Sequence, residues 1–287
     1  MPPIMSIAID PPTCDIDAER RFGGLARLYG PGAPDRLRAA RIAVVGLGGV
    51  GSWTAEALAR SGVGALTLID LDHIAESNVN RQIHALSDTL GQAKVAAMAA
   101  RVAGINPTCA VTQVDDFVTP DNVADVLAAD YDAVVDCTDQ AAAKIAMILH
   151  ARRRGLGLLV CGGAGGKTDP LALRVGDLSQ ACNDALLAKL RNKLRREHGY
   201  PKAAAKAGKA PSRTPKMHVR ALWFDQPAIL PAAWTAGAEA EDDVGAMVAP
   251  LAPQGLSCAG YGSSITITAT MGMAAADQAL RLVLART

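Results

Sequence analysis

Four kinds of side chain stand in an order that could do chemistry together. They are a glycine cluster at Gly46, Gly48, Gly49 and Gly51, an acid at Asp70, two cations at Arg81 and Lys94, and a carboxylate at Asp139. The glycines form GLGGVG between a short apolar run and an amphipathic segment. Glycine at 46, 48 and 51 permits a tight turn, close approach of backbone to a diphosphate, and close packing of a helix on a sheet. The N–H groups of the helix opening at Ser52 then face the anion. Asp70 follows Gly51 by 19 residues and ends the next apolar run. A carboxylate at that spacing accepts hydrogen bonds from a ribose. The pattern implies a bound nucleotide without saying which one.

The remaining charged residues narrow the choice. A dinucleotide pyrophosphate needs little further positive charge, whereas a triphosphate is matched by cations and a metal ion. Arg81 and Lys94 supply the cations. Asp139, at the carboxyl end of the fourth strand-like run, suits Mg2+, which takes one or two carboxylates plus phosphate oxygens. Singly, Lys94 reads as well as a surface lysine and Asp139 as a helix cap. Their joint order along the chain favours ATP over a nicotinamide dinucleotide.

The elements that must position these residues follow from periodicity and turn chemistry. Asp17 to Tyr29 reads as helix or turn, and Ile42 to Asp70 as strand, turn, helix and strand. Asp72 to Gln82 is a polar loop beyond a strand end, where sites are usually lined. Leu90 to Ala103 is helical, Cys109 to Val114 alternates as a strand, and Thr119-Pro120-Asp121 opens a helix to about Ala129. Asp132 to Asp136, a helix from Ala141 to Arg154, and a strand from Gly157 to Cys161 complete an α/β, Rossmann-like, doubly wound, mostly parallel sheet. Gly162 to Thr168 ends like a P-loop, but Cys161 replaces its first glycine and Asp169-Pro170 replaces its helix. It reads as a Gly-rich loop near the nucleotide or substrate.

The chain divides into a disordered leader (1–16), an ATP-binding core (17–180) and an irregular C-terminal section (181–287) that continues the sheet and folds with the core. That section holds an amphipathic helix from Asp184 to His198, a basic linker (the two spanning 184–217), a strand from His218 to Phe224, a long acidic loop, and a closing strand and helix (263–285).

Half of the 287 residues are hydrophobic and only 3% aromatic, so the core is built of Ala, Val, Leu and Ile. Six scattered cysteines with no Cys-x-x-Cys pair argue against a disulfide framework or zinc ribbon, and prolines interrupt the N-terminus where a signal peptide would be apolar. The uncharged stretch from Val244 to Ala276 is too rich in Pro, Gly, Ser and Thr for a membrane span. The expectation is a cytoplasmic protein with no membrane contact. Charge is uneven: residues 189–220 carry six lysines and five arginines against Glu197, or 11 − 1 = +10, leaving 1 − 10 = −9 elsewhere. A basic arm on an acidic body fits a polyanion, and fits equally a solvated helix running into a linker.

GLGGVG, LIDLD, SNVNRQ, GQAK and DCTD together resemble the ThiF/MoeB/HesA family, the adenylating relatives of ubiquitin-activating enzymes, over roughly Arg20 to Gly166. The resemblance implies an E1-like enzyme, usually a homodimer, that binds Mg·ATP and activates a carboxylate as an acyl-adenylate. It implies that Gly46, Gly48, Gly49 and Gly51 hold phosphates, Asp70 holds ribose, and Asp72, Asn78 and Lys94 line the site. Arg81 would be contributed across the dimer, Asp139 would bind the metal, and Arg27 would contact phosphate. RFGGLARLYG, NRQIHAL, DDFVTPDNV and GGAGGKTDP narrow the match to the branch that cyclises the threonylcarbamoyl group of adenosine 37 in tRNA, with net loss of water. A sulfur-carrier adenylyltransferase is the alternative, and a non-catalytic nucleotide-dependent RNA-binding module a more distant one. On this resemblance Lys189, Lys193, Arg195 and Arg196 become candidate tRNA contacts. A monovalent cation and a sulfurtransferase-type protein partner join the candidates, and Cys258 is a candidate thiol that reads better as an inert one.

Overall fold

Runs that are apolar on both faces become the inner strands of one sheet, because such strands need cover on both sides. The structure, a computed structural model, describes residues 17–202, 214–230 and 261–285. In chain order it has α1 (Ala18–Phe22), α2 (Gly24–Tyr29), α3 (Ala33–Ala39), β1 (Arg41–Val45), α4 (Gly51–Arg60) and β2 (Ala65–Ile69). Then come α5 (Lys94–Ile105), β3 (Ala110–Val114), α6 (Val123–Val126), β4 (Ala133–Asp136), α7 (Ala141–Arg154) and β5 (Leu158–Cys161). The chain finishes with β6 (Leu173–Asp177), α8 (Ala185–Glu197), β7 (Arg220–Phe224) and α9 (Ile265–Leu284). The sheet order is β3-β2-β1-β4-β5-β7-β6, with β6 antiparallel to β7 and every other pair parallel.

The chain winds outward from β1 to β3 on one side, then returns to lay β4 and β5 on the other. The crevice between the carboxyl ends of β1 and β4 is therefore the topological switch point, where open α/β sheets bind ligands. In register, Val45 pairs with Asp136, so Gly46 and Cys137 leave the sheet side by side.

Three expected elements need correction. The closing segment is a single helix, although ITITAT has strand propensity. Ser264 caps it by accepting the Thr266 N–H, and Ile267, Met271 and Ala275, four residues apart, are buried, so packing overrides propensity. The fifth helix starts at Lys94 because Ile74 and Gly91–Gln92 pair backbone to backbone, holding the preceding residues as a turn. The helix expected from Thr119 to Ala129 shrinks to Val123–Val126, since Thr119 and Asn122 exchange side-chain hydrogen bonds in a turn ahead of it. Two elements left no signal: α3 buries only Ala33 and Leu37, and β6 is an edge strand with no fully buried residue. Residues 1–16, most of the basic linker, the acidic loop and Cys258 lie outside the described residues. Among the described residues no helix is long and apolar enough to cross a membrane.

Helix α9 packs on α4 at Gly272, where an added Cβ would fall 2.5 Å from the Val50 oxygen and 2.7 Å from the Trp53 Cβ. Gly272→Ala is expected to force the helices apart and lower unfolding free energy by about 1–3 kcal/mol, read by denaturant titration; an unchanged midpoint would show that this crossing is not tight.

The loop between β2 and α5 buries His84, whose ring nitrogens have no partner among the described residues. Burial, with Lys94 and Arg101 nearby, pushes its pKa down to about 4. The unfolded chain then takes up a proton that the native state refuses, so stability is full above about pH 6.5 and falls as pH drops towards 4. Replacing His84 with Leu should remove about one proton from the unfolding pH dependence in that window. An identical pH slope in the two proteins would contradict this.

Candidate active site

The turn after β1 is built by two glycines that cannot be substituted without moving backbone. Gly46 has φ +84°, open to glycine and costly for other residues, and a Cβ on Gly51 would lie 1.7 Å from the Gly46 oxygen. This closeness brings the first turn of α4 onto the end of β1. No side chain caps α4, so its leading N–H groups remain available to an anion.

A cavity of about 280 Å3 opens above this turn at the switch point. Gly46, Gly48 and Gly49 line it, with Asp70, Asp72, Asn78, Arg81, Lys94 and Asp139. Several separate chain segments thus converge where the spacing pattern placed a nucleotide. Gly51 acts from beneath, through its packing.

Asp70 is 7% exposed, and it accepts the Leu47 N–H at 2.6 Å and the Asp72 N–H at 2.8 Å. Burial pushes its carboxyl above the usual carboxylate range, against the pull of Lys94 and those two donors. A carboxylate has about four lone-pair positions, so about two remain for the donors of a ligand. Lys94 is buried with its Nζ 2.6 Å from Asp72 and 3.9 Å from Asp70. Its position is set by the first turn of α5, whose Lys94 N–H donates to the Asp72 oxygen. The paired ammonium lines the cavity.

Arg81 donates to the Ser77 oxygen and the Asn80 amide oxygen, while its own carbonyl accepts from Trp53 Nε1 of α4 at 3.0 Å and lies 3.5 Å from Thr268 Oγ1 of α9. It lines the cavity of its own chain. Asn78 turns its Oδ1 back to the Ala75 N–H. Arg27 lies on α2 and does not line this cavity.

Asp139 is exposed at the cavity and has no hydrogen-bond or ion-pair partner among the described residues. A free, hard carboxylate beside a phosphate cradle fits Mg2+, which completes its shell with phosphate oxygens and water. Among the described residues no three His, Cys, Asp or Glu side chains gather as a self-sufficient metal centre.

Several contributors carry no signal in the sequence. Thr268 lines the cavity from α9, and Gln82 lines it with a buried Oε1 that has no partner among the described residues. Asp184 caps α8, accepting the Leu187 N–H, and its other oxygen accepts the Gly163 N–H at 2.8 Å, which fixes the Gly-rich loop whose Gly162 and Ala164 face the cavity. Beneath the site Lys144, wholly buried, donates to Asp136 Oδ1 at 3.0 Å and to the Cys161 oxygen at 2.8 Å. Asp136 in turn accepts the Thr138 N–H and hydroxyl. This pair ties the ends of β4 and β5 and shapes the turn that presents Asp139. In sequence Lys144 is one lysine on a helix; only the pairing of β4 with β5 shows what it holds. On the basic helix, Lys189 is exposed, Lys193 and Arg196 share Glu197, and Arg195 donates to the Pro201 oxygen.

The profile of the ThiF family matches residues 23–287. A tRNA threonylcarbamoyladenosine dehydratase of Escherichia coli K12 is 43% identical over 269 residues, spanning 93% of this chain and 94% of that protein. One from Haemophilus influenzae is 41% identical over 263 residues, 91% of this chain and 92% of that one. The crystal structure of the E. coli tRNA N6-threonylcarbamoyladenosine dehydratase in complex with ATP has a TM-score of 0.78 and 41% identity, covering 94% of this chain and 97% of the other.

Leaving Asp136 buried without its cation should be costly. Lys144→Met is expected to lose about 3–5 kcal/mol of stability, and Lys144→Met with Asp136→Leu to recover part of it; equal stability of the single variant and the parent in urea would refute the pair's role.

Proposed function

Since the chain belongs to the ThiF family, we propose that it is an ATP-dependent enzyme that dehydrates threonylcarbamoyladenosine in tRNA. The observation that carries this reading is the convergence of the glycine turn, Asp70, Arg81, Lys94 and Asp139 on one cavity at the switch point. The relatives that share nearly the whole chain bear that activity in their names, and the solved structure holds ATP. Matches to the sulfur-carrier branch, such as the E. coli molybdopterin-synthase adenylyltransferase, reach only 38% of this chain.

ATP lies with its phosphates on the glycine turn and α4, and its ribose on Asp70. The threonyl carboxylate attacks the α-phosphorus; its oxygen–phosphorus bond forms as the bond to diphosphate breaks. Carboxylate is a poor electrophile because oxide is a poor leaving group, and the acyl-adenylate replaces oxide with AMP. A heteroatom of the same nucleoside then attacks the acyl carbon, loses its proton to solvent and expels AMP, closing a ring with net loss of water. Both reacting groups belong to one nucleoside, so proximity favours closure and no protein nucleophile is needed. Arg81 and Lys94 neutralise charge that grows on the phosphates, and the N–H groups of α4 do the same. Asp139 would hold Mg2+, which would supply further charge neutralisation there.

We extend the proposal to a homodimer working in the cytoplasm. The described cysteines, 109, 137, 161 and 182, are all free thiols, as in a reducing compartment. Arg81 is proposed to act across the dimer, and Arg27, on α2, to contact phosphate. Lys189, Lys193, Arg195 and Arg196 are proposed as tRNA backbone contacts; of these Lys189 has no ion-pair partner among the described residues. A monovalent cation and a sulfurtransferase-type partner rest on family resemblance alone.

Purified protein incubated with ATP, Mg2+ and threonylcarbamoyl-modified tRNA should yield, by nucleoside mass analysis, the modified nucleoside less one water. An unchanged nucleoside would overturn the reading. Lys94→Ala and Asp139→Ala should each reduce turnover by roughly 100-fold or more with the fold intact, the scale of lost charge stabilisation.

A further inference from the structure

A second cavity, of about 250 Å3, opens at the opposite end of the sheet, where β5 and β7 begin. Its floor is apolar, made by Ile148, Ala151, Leu158, Met217 and Val219. Its rim is aromatic and cationic, made by Arg152, Tyr200 and His218.

The rim is constructed. The Arg152 guanidinium lies 4.9 Å from the centroid of the Tyr200 ring, and Tyr200 is buried, so the guanidinium is backed by a fixed aromatic face. His218 has φ +55°, an uncommon conformation for a residue with a side chain. Asp177 holds it there from both sides, accepting the Met217 N–H at 2.8 Å and the Val219 N–H at 3.3 Å. Backbone held this way in a sparsely populated region is concentrated at ligand sites.

Charge around the rim is mostly positive, with Asp177 engaged by the backbone beside His218. Arg153, Arg195, Lys202 and Lys216 neighbour the cavity residues in sequence or by hydrogen bond, and with Arg152 they make five cations. None of the five is in an ion pair among the described residues, whereas Arg154 is matched by Asp130, and Lys193 and Arg196 by Glu197. Complementing the C-terminal dipole of α7 explains Arg152 and Arg153. It does not explain Lys202, Lys216 or an apolar cavity between the cations.

We infer that this end of the molecule is an RNA-docking site, in which one unstacked base enters the cavity while neighbouring phosphates lie on the five cations. An apolar slot with a guanidinium and an imidazole at its mouth suits a nucleobase, and five cations exceed what one mononucleotide needs. The inference rests on the reading of the chain as a tRNA-acting enzyme, and it places a tRNA contact away from the ATP cavity.

The test is a titration of fluorescent tRNA with the intact protein across a salt series, comparing the parent with Arg152→Glu, Lys216→Glu and His218→Ala. These are changes outside the ATP cavity, so ATP binding and thermal midpoint should match the parent and report an intact fold. His218→Ala is expected to weaken tRNA binding roughly 5- to 100-fold, the range for loss of one stacked base. Each charge reversal should weaken it further and reduce the salt slope by about 0.7–0.9 for every phosphate left without its cation. Parent-like tRNA affinity and slope in all three variants would overturn the inference while leaving the ATP-site reading intact. With the first cavity saturated by ATP, loss of the remaining AMP binding with tRNA binding unchanged would also overturn it, in favour of a mononucleotide. If the parent itself binds no tRNA, the reading of the substrate fails, and this inference with it.

Discussion

The molecule depends on the contact between Gly46 and Gly51. A Cβ at 51 would lie within bonding distance of the Gly46 oxygen, so the end of β1 and the start of α4 can touch only because Gly51 carries no side chain. That contact aims the uncapped end of α4 into the crevice between β1 and β4. It also lets Leu47 donate its N–H to Asp70, coupling the glycine turn to the carboxylate at the end of β2. The glycine turn and the Asp70 carboxylate are thereby fixed relative to each other by backbone geometry and one hydrogen bond.

Charge is arranged around that frame at different depths. Asp136 and Lys144 are sealed beneath the site, where a matched pair with further hydrogen bonds is tolerable and a single member is not. Lys94 lies at the cavity wall, held by Asp72. Asp139 is at the mouth, exposed and unpaired among the described residues. The gradient from sealed to paired to free separates the groups that shape the site from those available to a ligand and metal. On the far side, the contact of Arg81 with Trp53 and Thr268 means that α4 and α9, which meet at Gly272, also set the position of a cation.

The part of this design legible in the sequence is the part fixed by local chemistry. Gly46 to Gly51, Asp70, Arg81, Lys94 and Asp139 are recognisable because glycine turns and strand-end acids recur at set spacings. Central strands announce themselves as unbroken apolar runs. What escapes depends on partners far away in the chain. β6 is a strand only because β7 lies beside it, α9 is helical through its packing on α4, and Lys144 is structural because β5 brings the Cys161 oxygen to it. Arg81 shows the same limit: its residue type and spacing mark it as a phosphate-binding cation, but its placement in its own chain's cavity emerges only with the contacts to Trp53 and Thr268.

Adenylation is the chemical claim that unites these features, and its signature is the fate of one oxygen. The reaction should be run with tRNA whose threonyl carboxylate carries a heavy-oxygen label, and the phosphorus-containing products analysed by mass spectrometry. Attack of the carboxylate on the α-phosphorus predicts that one labelled oxygen leaves in AMP, alongside unlabelled diphosphate. Label appearing in inorganic phosphate, with ADP formed, would show activation at the γ-phosphorus and contradict the account of this site.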